Sequence, residues 1–188
     1  MTDHHLRLIL SAGESLPISL SWMISSGYVT LMTGDDEQNI TTLGIWGPGE
    51  LVIPSLLACR NLELKALSAV EVTGWSATPE QKQHCIRQQM LQLSVLLQLA
   101  RIRRAELRLF NLLLWLGERF GQHSSQGLSL SFSDMNLTHR NLAEITGMTR
   151  VTVTKALIRF RQEGRLCKQG GRELLRDSGR DAANEPAQ

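Results

Sequence analysis

Residues 137–166 read LTHRNLAEITGMTRVTVTKALIRFRQEGRL, and this stretch predicts two short helices joined by a glycine turn. Thr138 can cap the N-terminus of the first helix, and Gly147 can adopt the left-handed backbone of the turn. Thr149 can cap the second helix, which Gly164 would end. The start, the turn and the end of a helical hairpin are therefore all encoded locally.

Apolar residues indicate which faces of this hairpin are buried. Leu137 and Leu142 stand at the two positions of a hydrophobic staple around the first N-terminus. In the second helix, apolar side chains recur at helical spacing: Val153, Leu157 and Phe160. We expect this face to pack on the first helix and the opposite face to stay exposed.

The opposite face of the second helix carries side chains that suit the major groove of DNA. Arg150 can donate two hydrogen bonds to a guanine edge, Lys155 can contact a neighbouring base or phosphate, and Val151 can touch a thymine methyl. The candidate DNA-contacting residues of the hairpin are Thr138, His139, Thr149, Arg150, Val151, Thr152, Thr154 and Lys155. An ordinary surface hairpin without a DNA partner is the alternative.

The hairpin resembles the helix-turn-helix of the Crp/Fnr family of bacterial transcription regulators. TRVTVT at 149–154, the apolar segment 52–57 and RFG at 119–121 are most similar to its NtcA branch, the cyanobacterial nitrogen regulators. The resemblance covers about residues 13–177. It implies an α+β fold with an N-terminal β-roll of the cyclic-nucleotide-binding kind, a long dimerisation helix and a C-terminal winged helix-turn-helix.

The resemblance also implies a function. A homodimer would bind a palindromic promoter site, with each recognition helix in one of two successive major grooves about 34 Å apart. The shared TRVTVT implies half-sites of the GTA…TAC type, although Lys155 stands where that branch has an arginine. RNA polymerase is a further partner that the resemblance implies.

The distribution of charged residues agrees with a protein that binds DNA through its second half. Residues 1–80 hold three Lys or Arg against nine Asp or Glu, whereas residues 81–188 hold 17 against nine. Phosphate neutralisation dominates DNA affinity, so a basic half is typical of a DNA-binding region. A solvated basic face without a partner is the alternative.

Regularly spaced turn residues in the first part predict short strands of a β-barrel or roll. We expect strands at 28–32, 40–45 and 70–75, the first two joined by a polar loop at 34–39. The predicted organisation is a β-roll at 1–78, a dimerisation helix at 79–104, a winged helix-turn-helix at 105–177 and a disordered tail at 178–188.

The long helix begins after Thr78 and shows two apolar faces. Spacings of four and three are those of a coiled coil, and they predict a parallel dimer seam through Ile86, Met90, Leu93, Leu97 and Ala100. We expect a second face to pack on the roll, through Leu91, Val95, Leu99 and Ile102. A simple core helix is the alternative.

Glu50, Arg60 and Asn61 stand at positions of the family's cyclic-nucleotide cassette, and the first two match its residues. Glu50 could accept a ribose hydroxyl, and Arg60 could bind a phosphate. Val52 and Asn61 depart from the small and hydroxyl-bearing residues of that cassette, which narrows the pocket and removes a phosphate donor.

The NtcA branch implies a second effector, 2-oxoglutarate, bound by an arginine and a glutamate on the long helix. Gln89 and Ser94 stand at those positions, and neither is charged. We therefore expect a regulator that is independent of ligand or uses a non-classical effector. An effector-gated regulator that binds a cyclic nucleotide or 2-oxoglutarate is the alternative.

Residues 105–121 predict a helix with the apolar stripe Leu109, Leu112, Leu113 and Leu116, followed by a polar connection at 122–126. Four arginines near its start could contact DNA phosphates or simply solvate a junction: Arg101, Arg103, Arg104 and Arg108. Segments 166–168 and 174–176 flank two glycines, which predicts a hairpin wing. Lys168 and Arg172 are its candidate phosphate contacts.

Other classes of protein are disfavoured. Cys59, Cys85 and Cys167 form no CxxC pair, and His4 and His5 have no nearby partner ligands, so we expect no metal or other cofactor. The predicted strands contain no histidine, which argues against a metal-dependent enzyme built on the roll.

We find no apolar run of about 18 residues and no cleavable signal, and expect a cytoplasmic protein without a membrane partner. An interaction protein that binds no DNA is the third alternative.

Overall fold

A computed structural model describes residues 6–34 and 40–176. The chain divides into two compact units after Arg101, with Asp134–Asn136 grouped with the first unit. The predictions for His4 and His5, for most of the 34–39 loop and for the tail at 178–188 lie outside the described residues.

The first unit contains a β-roll. Its strands are β1 (Arg7–Leu10), β2 (Ser15–Leu16), β3 (Trp22–Ser26), β4 (Val29–Thr33), β5 (Thr41–Trp46), β6 (Leu51–Val52), β7 (Leu62–Ala66) and β8 (Val70–Gly74). They form two antiparallel sheets, ordered β1-β8-β3-β6 and β2-β7-β4-β5. The strands predicted at 28–32, 40–45 and 70–75 are confirmed as β4, β5 and β8, and β4 pairs with β5.

Inward-facing side chains of both sheets build the core of the roll. Its fully buried members include Trp22, Ile24, Val29, Leu31, Leu64 and Val72. The Trp22 indole N–H donates to the Pro17 carbonyl at 2.9 Å, so this fully buried side chain has no unpaired polar atom. Gly27 turns the chain between β3 and β4 with φ +77°, and a Cβ there would collide with the Ala69 carbonyl.

Helix α1 (Pro79–Arg101) follows the roll and begins where the sequence predicts. Thr78 and Gln81 form a capping box, because the Thr78 hydroxyl accepts from the Gln81 amide and the Gln81 side chain accepts from the Thr78 amide. Hydrogen bonds to its own backbone amide and to Thr78 lower the pKa of Glu80 in the first turn. The helix ends at Arg101 rather than at residue 104.

The second unit combines helices with one antiparallel sheet. Its elements are α2 (Ala105–Phe120), β9 (Gln122–Ser124), β10 (Gly127–Leu130), α3 (His139–Thr146), α4 (Arg150–Gln162), β11 (Leu166–Gln169) and β12 (Arg172–Leu175). The sheet has the order β11-β12-β10-β9. The predicted wing is confirmed as the hairpin of β11 and β12.

The polar connection predicted at 122–126 is instead partly a strand. β9 pairs with β10, and its three residues are all exposed, so an apolar pattern could not reveal it. The Ser124 hydroxyl donates to the Gly127 carbonyl at 3.0 Å and accepts from the Gln126 amide at 3.3 Å. Polar side chains therefore close this turn.

The core of the second unit forms around α2, whose predicted stripe of Leu109, Leu112, Leu113 and Leu116 is buried. Phe110 packs edge-on against Phe160 of α4 with ring centroids 5.2 Å apart. The Arg165 guanidinium lies 3.7 Å from the centre of the Phe110 ring. α4 is thus fixed to α2 through aromatic contacts.

Candidate nucleic-acid interface

Both predicted caps of the helical hairpin are present. The Thr138 hydroxyl accepts from the Asn141 amide at 3.1 Å, and the Thr149 hydroxyl accepts from the Thr152 amide at 3.2 Å. Each bond pairs a backbone N–H that the helix itself leaves unsatisfied. Between the two helices, Gly147 has φ 64° and occupies the left-handed region, as predicted.

The predicted inner face of α4 is confirmed. Val153, Leu157 and Phe160 have no exposed area, and the staple residues Leu137 and Leu142 are 3% and 0% exposed. These contacts determine the rotation of α4 about its own axis, and hence which side chains remain outside.

The C-terminus of α4 is closed by a Schellman motif. Gly164 follows the helix with φ +70°, and the Arg165 amide bonds the Phe160 carbonyl at 2.9 Å. This arrangement confirms the predicted helix end at Gly164.

The outer face of α4 brings the predicted base-contacting residues together. Arg150 and Lys155 are exposed, Val151 is 63% exposed, and Thr152 and Thr154 are partly exposed. Arg150 and Lys155 make no ion pair with a described residue. The face therefore presents two cations, an aliphatic group and hydroxyl-bearing side chains along one ridge of the helix.

The N-terminus of α3 lies beside this ridge. His139 Nδ1 is 2.8 Å from the Thr154 hydroxyl oxygen, and this contact joins the first residue of α3 to α4. The Thr154 hydroxyl is also 2.9 Å from the Arg150 carbonyl. Thr138 and His139 thus lie next to the candidate base-contacting residues.

Two other arginines of α4 form ion pairs with carboxylates of the same chain. Arg159 donates to Glu106 at 2.9 Å and to Glu163 at 2.8 Å, and hydrogen bonds to Glu163 and Glu106 raise the pKa of the Arg159 guanidinium. Arg161 pairs with the buried Glu173 of β12 at 2.8 Å. These two cations are therefore neutralised by neighbouring carboxylates.

Arg108 is held by backbone groups. Its guanidinium donates to the Ile102 carbonyl at 2.8 and 3.0 Å and to the Thr146 carbonyl at 3.0 Å. Of the two roles left open for the arginine cluster, the structural one applies to Arg108. Arg104 remains exposed and lines a cleft of about 330 Å³ together with Thr152 and Lys155.

The wing carries its two candidate phosphate contacts near its tip. Lys168 on β11 is exposed and Arg172 on β12 is partly exposed. Gly170 and Gly171 form the turn with φ 56° and 79°. The turn has the conformation that only glycine adopts readily.

Of the three candidate effector residues, only Glu50 lines the cleft between the roll and α1. This cleft has a volume of about 470 Å³, and the Glu50 carboxylate accepts from the Gly47 amide at 2.8 Å. Arg60 and Asn61 are exposed and do not line this cleft. The Arg60 carbonyl accepts from Thr33 at 2.6 Å.

Two glutamines join α1 to the roll, and sequence patterns did not reveal them. Gln89 Nε2 donates to the Leu43 carbonyl and Gln92 Oε1 accepts from the Ile45 amide, each at 2.8 Å. Both glutamines are buried, at 8% and 4% exposure. Among the described strands, β5 stands at the end of its sheet, so these side chains pair backbone groups on the side that faces away from β4.

The predicted roll-facing set on α1 is therefore wrong in part. Leu91 is 57% exposed, whereas Leu99 is buried and Val95 is partly buried. The face that meets the roll runs through Gln89 and Gln92, which an apolar pattern assigns to solvent. Because α1 contains other glutamines, no signal in the sequence distinguishes the two roll-facing ones.

The predicted dimer seam of α1 is mostly uncovered in the single chain. Ile86, Met90 and Leu97 are 45%, 64% and 65% exposed. Ala100 is also exposed, and Leu93 is partly buried.

Within residues 6–34 and 40–176, the three cysteines are free thiols. No group of three or more His, Cys, Asp or Glu side chains in that part of the chain could hold a metal ion. No helix there is both long and apolar enough to cross a membrane.

Comparison with known sequences locates the same region independently. Residues 107–178 match the Crp-like helix-turn-helix domain. The chain is 36% identical to the regulatory protein CysR of Synechococcus elongatus over 172 residues, which cover 90% of this chain and 84% of that protein.

Solved structures share the fold at lower identity. FixK2 from Bradyrhizobium japonicum superposes with a TM-score of 0.73 at 16% identity and covers 98% of both chains. A CRP/FNR-family transcriptional regulator from Thermus thermophilus gives a TM-score of 0.67 at 21% identity, covering 95% of this chain and 97% of that one.

Proposed function

Because the chain belongs to the Crp/Fnr family of transcription regulators, we propose that it binds a palindromic promoter site as a homodimer. Members of this family bind DNA and regulate transcription. This family membership argues against the alternative of a metal-dependent enzyme built on the roll. The observation that carries the proposal is the outer face of α4, where Arg150, Val151 and Lys155 stand exposed between two capped helix ends.

Base recognition is proposed for the exposed ridge of α4. Arg150 would donate to the O6 and N7 atoms of a guanine, Val151 would contact a thymine methyl, and Lys155 would contact a neighbouring base or phosphate. The resemblance to the NtcA branch supports half-sites of the GTA…TAC type. The other candidate DNA contacts are Thr138, His139, Thr149, Thr152, Thr154, Lys168 and Arg172.

Dimerisation is proposed through the exposed seam of α1. A helix face with Ile86, Met90 and Leu97 each at least 45% exposed has the spacing of a two-stranded coiled coil. A second copy of α1 would cover these side chains.

The same region supports independence from the two classical effectors. Gln89 is engaged with the Leu43 carbonyl, and the Ser94 hydroxyl donates to the Met90 carbonyl of its own helix at 2.8 Å. Among the described residues, the charged or ionisable side chains that line the nearby cleft include Glu50, Glu80 and His84 but no Lys or Arg, which disfavours an anionic ligand. We therefore propose a regulator that is ligand-independent or uses an effector that is not an anion.

The remaining partners follow from the family. RNA polymerase is the proposed protein partner, and the cytoplasm, where bacterial DNA lies, is the proposed location.

Fluorescence anisotropy of a labelled GTA…TAC duplex against a scrambled duplex, at physiological salt and without added ligand, tests the function. Selective binding is expected. Selectivity that appears only after addition of cyclic AMP or 2-oxoglutarate would support the effector-gated alternative. Equal binding to both duplexes under all three conditions would contradict the proposed half-site.

The dimer is tested with two matched charge insertions on α1. Leu97→Glu places a carboxylate in the seam, whereas Leu91→Glu places one on an exposed position outside it. Sedimentation equilibrium should show monomers for the first variant and dimers for the second. Dimers of both variants, or monomers of the wild type, would contradict the seam.

A further inference from the structure

The contacts of the Thr154 hydroxyl with Arg150 and His139 determine where its single proton points. The Arg150 carbonyl lies 2.9 Å from this hydroxyl and can only accept, so the single hydroxyl proton points to Arg150. His139 Nδ1, at 2.8 Å from the same oxygen, must then be the donor. The neutral His139 ring therefore carries its proton on Nδ1 and leaves Nε2 as an acceptor.

This pair of bonds holds Thr154 in one rotamer. A threonine on a helix has two accessible rotamers, and its hydroxyl can bond the preceding turn in either. The bond from His139 favours one of them and keeps the hydroxyl within the hairpin, so the methyl is the other group that the Thr154 side chain can present. The same hydroxyl donates a hydrogen bond to the carbonyl of Arg150, the candidate guanine-contacting residue.

We propose that His139 is a positioning residue for base recognition: it fixes the Thr154 rotamer so that this position presents a methyl rather than a hydroxyl. The inference rests on the proposed DNA-binding role of the α4 ridge. A methyl favours contact with the thymine methyl, whereas a free hydroxyl can donate to or accept from several bases. Loss of the His139 bond therefore relaxes selectivity at one base pair.

Two substitutions separate this role from a phosphate contact by His139. His139→Asn keeps an amide donor near the Nδ1 position, and His139→Gln keeps one near the Nε2 position. A positioning role needs the first donor, because Nδ1 bonds Thr154. A phosphate contact needs the second, because Nε2 is the ring nitrogen free of Thr154.

The measured quantity is the discrimination ratio of the full-length chain. Anisotropy compares the GTA…TAC duplex with duplexes that carry one altered base pair in each half-site. We expect His139→Gln to lower the ratio at one base pair by about tenfold and His139→Asn to keep it within about twofold of wild type, whatever both lose in overall affinity. Equal ratios for the two variants would overturn the proposal.

Thr154→Val provides the matched background. It keeps the shape of the side chain and removes the hydroxyl, so the difference between the two His139 variants should disappear there. A difference that persists would show that His139 acts without Thr154. Thermal unfolding of each variant identifies any change that reflects folding instead.

A measurement on the free protein separates this inference from the choice of half-site. Nitrogen-15 NMR of the neutral His139 ring should show the proton on Nδ1. A ring with its proton on Nε2 would overturn the proposal even if the wild type selects GTA…TAC. Lack of selectivity in the wild type, with the expected tautomer, would instead contradict the proposed function.

Discussion

The helical hairpin and the contact between α1 and β5 both depend on side chains that bond backbone groups, but the bonds differ in reach. Each hairpin cap joins residues three positions apart, as Thr138 and Asn141 are. Gln89 and Leu43 are 46 positions apart, and Ile45 and Gln92 are 47 apart. A cap therefore stabilises the helix that contains it. Each glutamine instead forms a hydrogen bond with a backbone group of a different element, the edge strand β5.

This difference predicts how the two regions respond to substitution. In the hairpin the caps are reinforced by buried apolar contacts, so the loss of one cap leaves a packed helix. Between α1 and β5, replacement of a glutamine leaves a buried backbone group without a partner.

Removal of the hairpin's buried aromatic contact should have the largest effect. Phe160→Ala deletes a ring with no exposed area that packs on Phe110, and it should lower the free energy of unfolding by about 3–5 kcal/mol. Ile158→Ala on the same helix is the control, because Ile158 is 49% exposed. Urea denaturation followed by circular dichroism measures both, and similar losses would refute the assigned inner face of α4.

The glutamine contact should rank next. Gln89→Leu leaves the Leu43 carbonyl without its side-chain donor and should lower the free energy of unfolding by about 1–3 kcal/mol. Gln98→Leu on the exposed side of α1 is the matched control. If urea denaturation gives no difference between the variants, the glutamine does not stabilise the attachment of α1.

The exposed face of α4 should affect binding rather than folding. Arg150→Ala should cost about 1–3 kcal/mol of binding free energy at one base pair and relax discrimination there. Lys168→Ala should instead weaken binding about equally on all sequences. Anisotropy on single-base variants of the duplex distinguishes these outcomes, and an equal loss on every sequence would demote Arg150 to a phosphate contact.

Loss of a single cap should have the smallest effect. Thr138→Ala removes the acceptor for the Asn141 amide and should cost about 0.5–2 kcal/mol of unfolding free energy. Thr138→Ser keeps a hydroxyl and serves as the control. Thermal unfolding compares the two, and a cost larger than that of Gln89→Leu would reverse the proposed contrast between local and distant bonds.

The same contrast explains what the sequence could predict. The caps, the glycine turn and the burial of Val153, Leu157 and Phe160 were predictable because their partners lie within one or two helical turns. The wing and three strands of the roll were predictable because turn residues and apolar runs mark them.

Features with distant or polar partners were not predictable from local patterns. The roll-facing side of α1 depends on Gln89 and Gln92, whose partners lie on β5. The carbonyl partners of Arg108 belong to a junction and to the end of α3, and no spacing rule identifies them. β9 is short, exposed and polar, so it lacks the alternation that marks a strand.

The candidate site divides in the same way. The sequence grouped Arg150, Val151 and Lys155 correctly on one exposed face, because helical periodicity alone sets that face. The proximity of His139 to Thr154 depends on how α3 packs on α4, which periodicity does not specify. The roles of Glu50, Arg60 and Asn61 stay predictions, because the described cleft includes only Glu50.

The bond between Gln92 and the Ile45 amide also makes the hydrogen–deuterium exchange of that amide a measure of how α1 is attached. The Ile45 amide hydrogen is bonded to a side chain of α1, 47 residues away, so its exchange with deuterium requires α1 to move off the edge of β5. Amides bonded between β4 and β5 exchange only when the strands separate. The ratio of these two exchange rates therefore measures how often the long helix detaches while the roll remains folded.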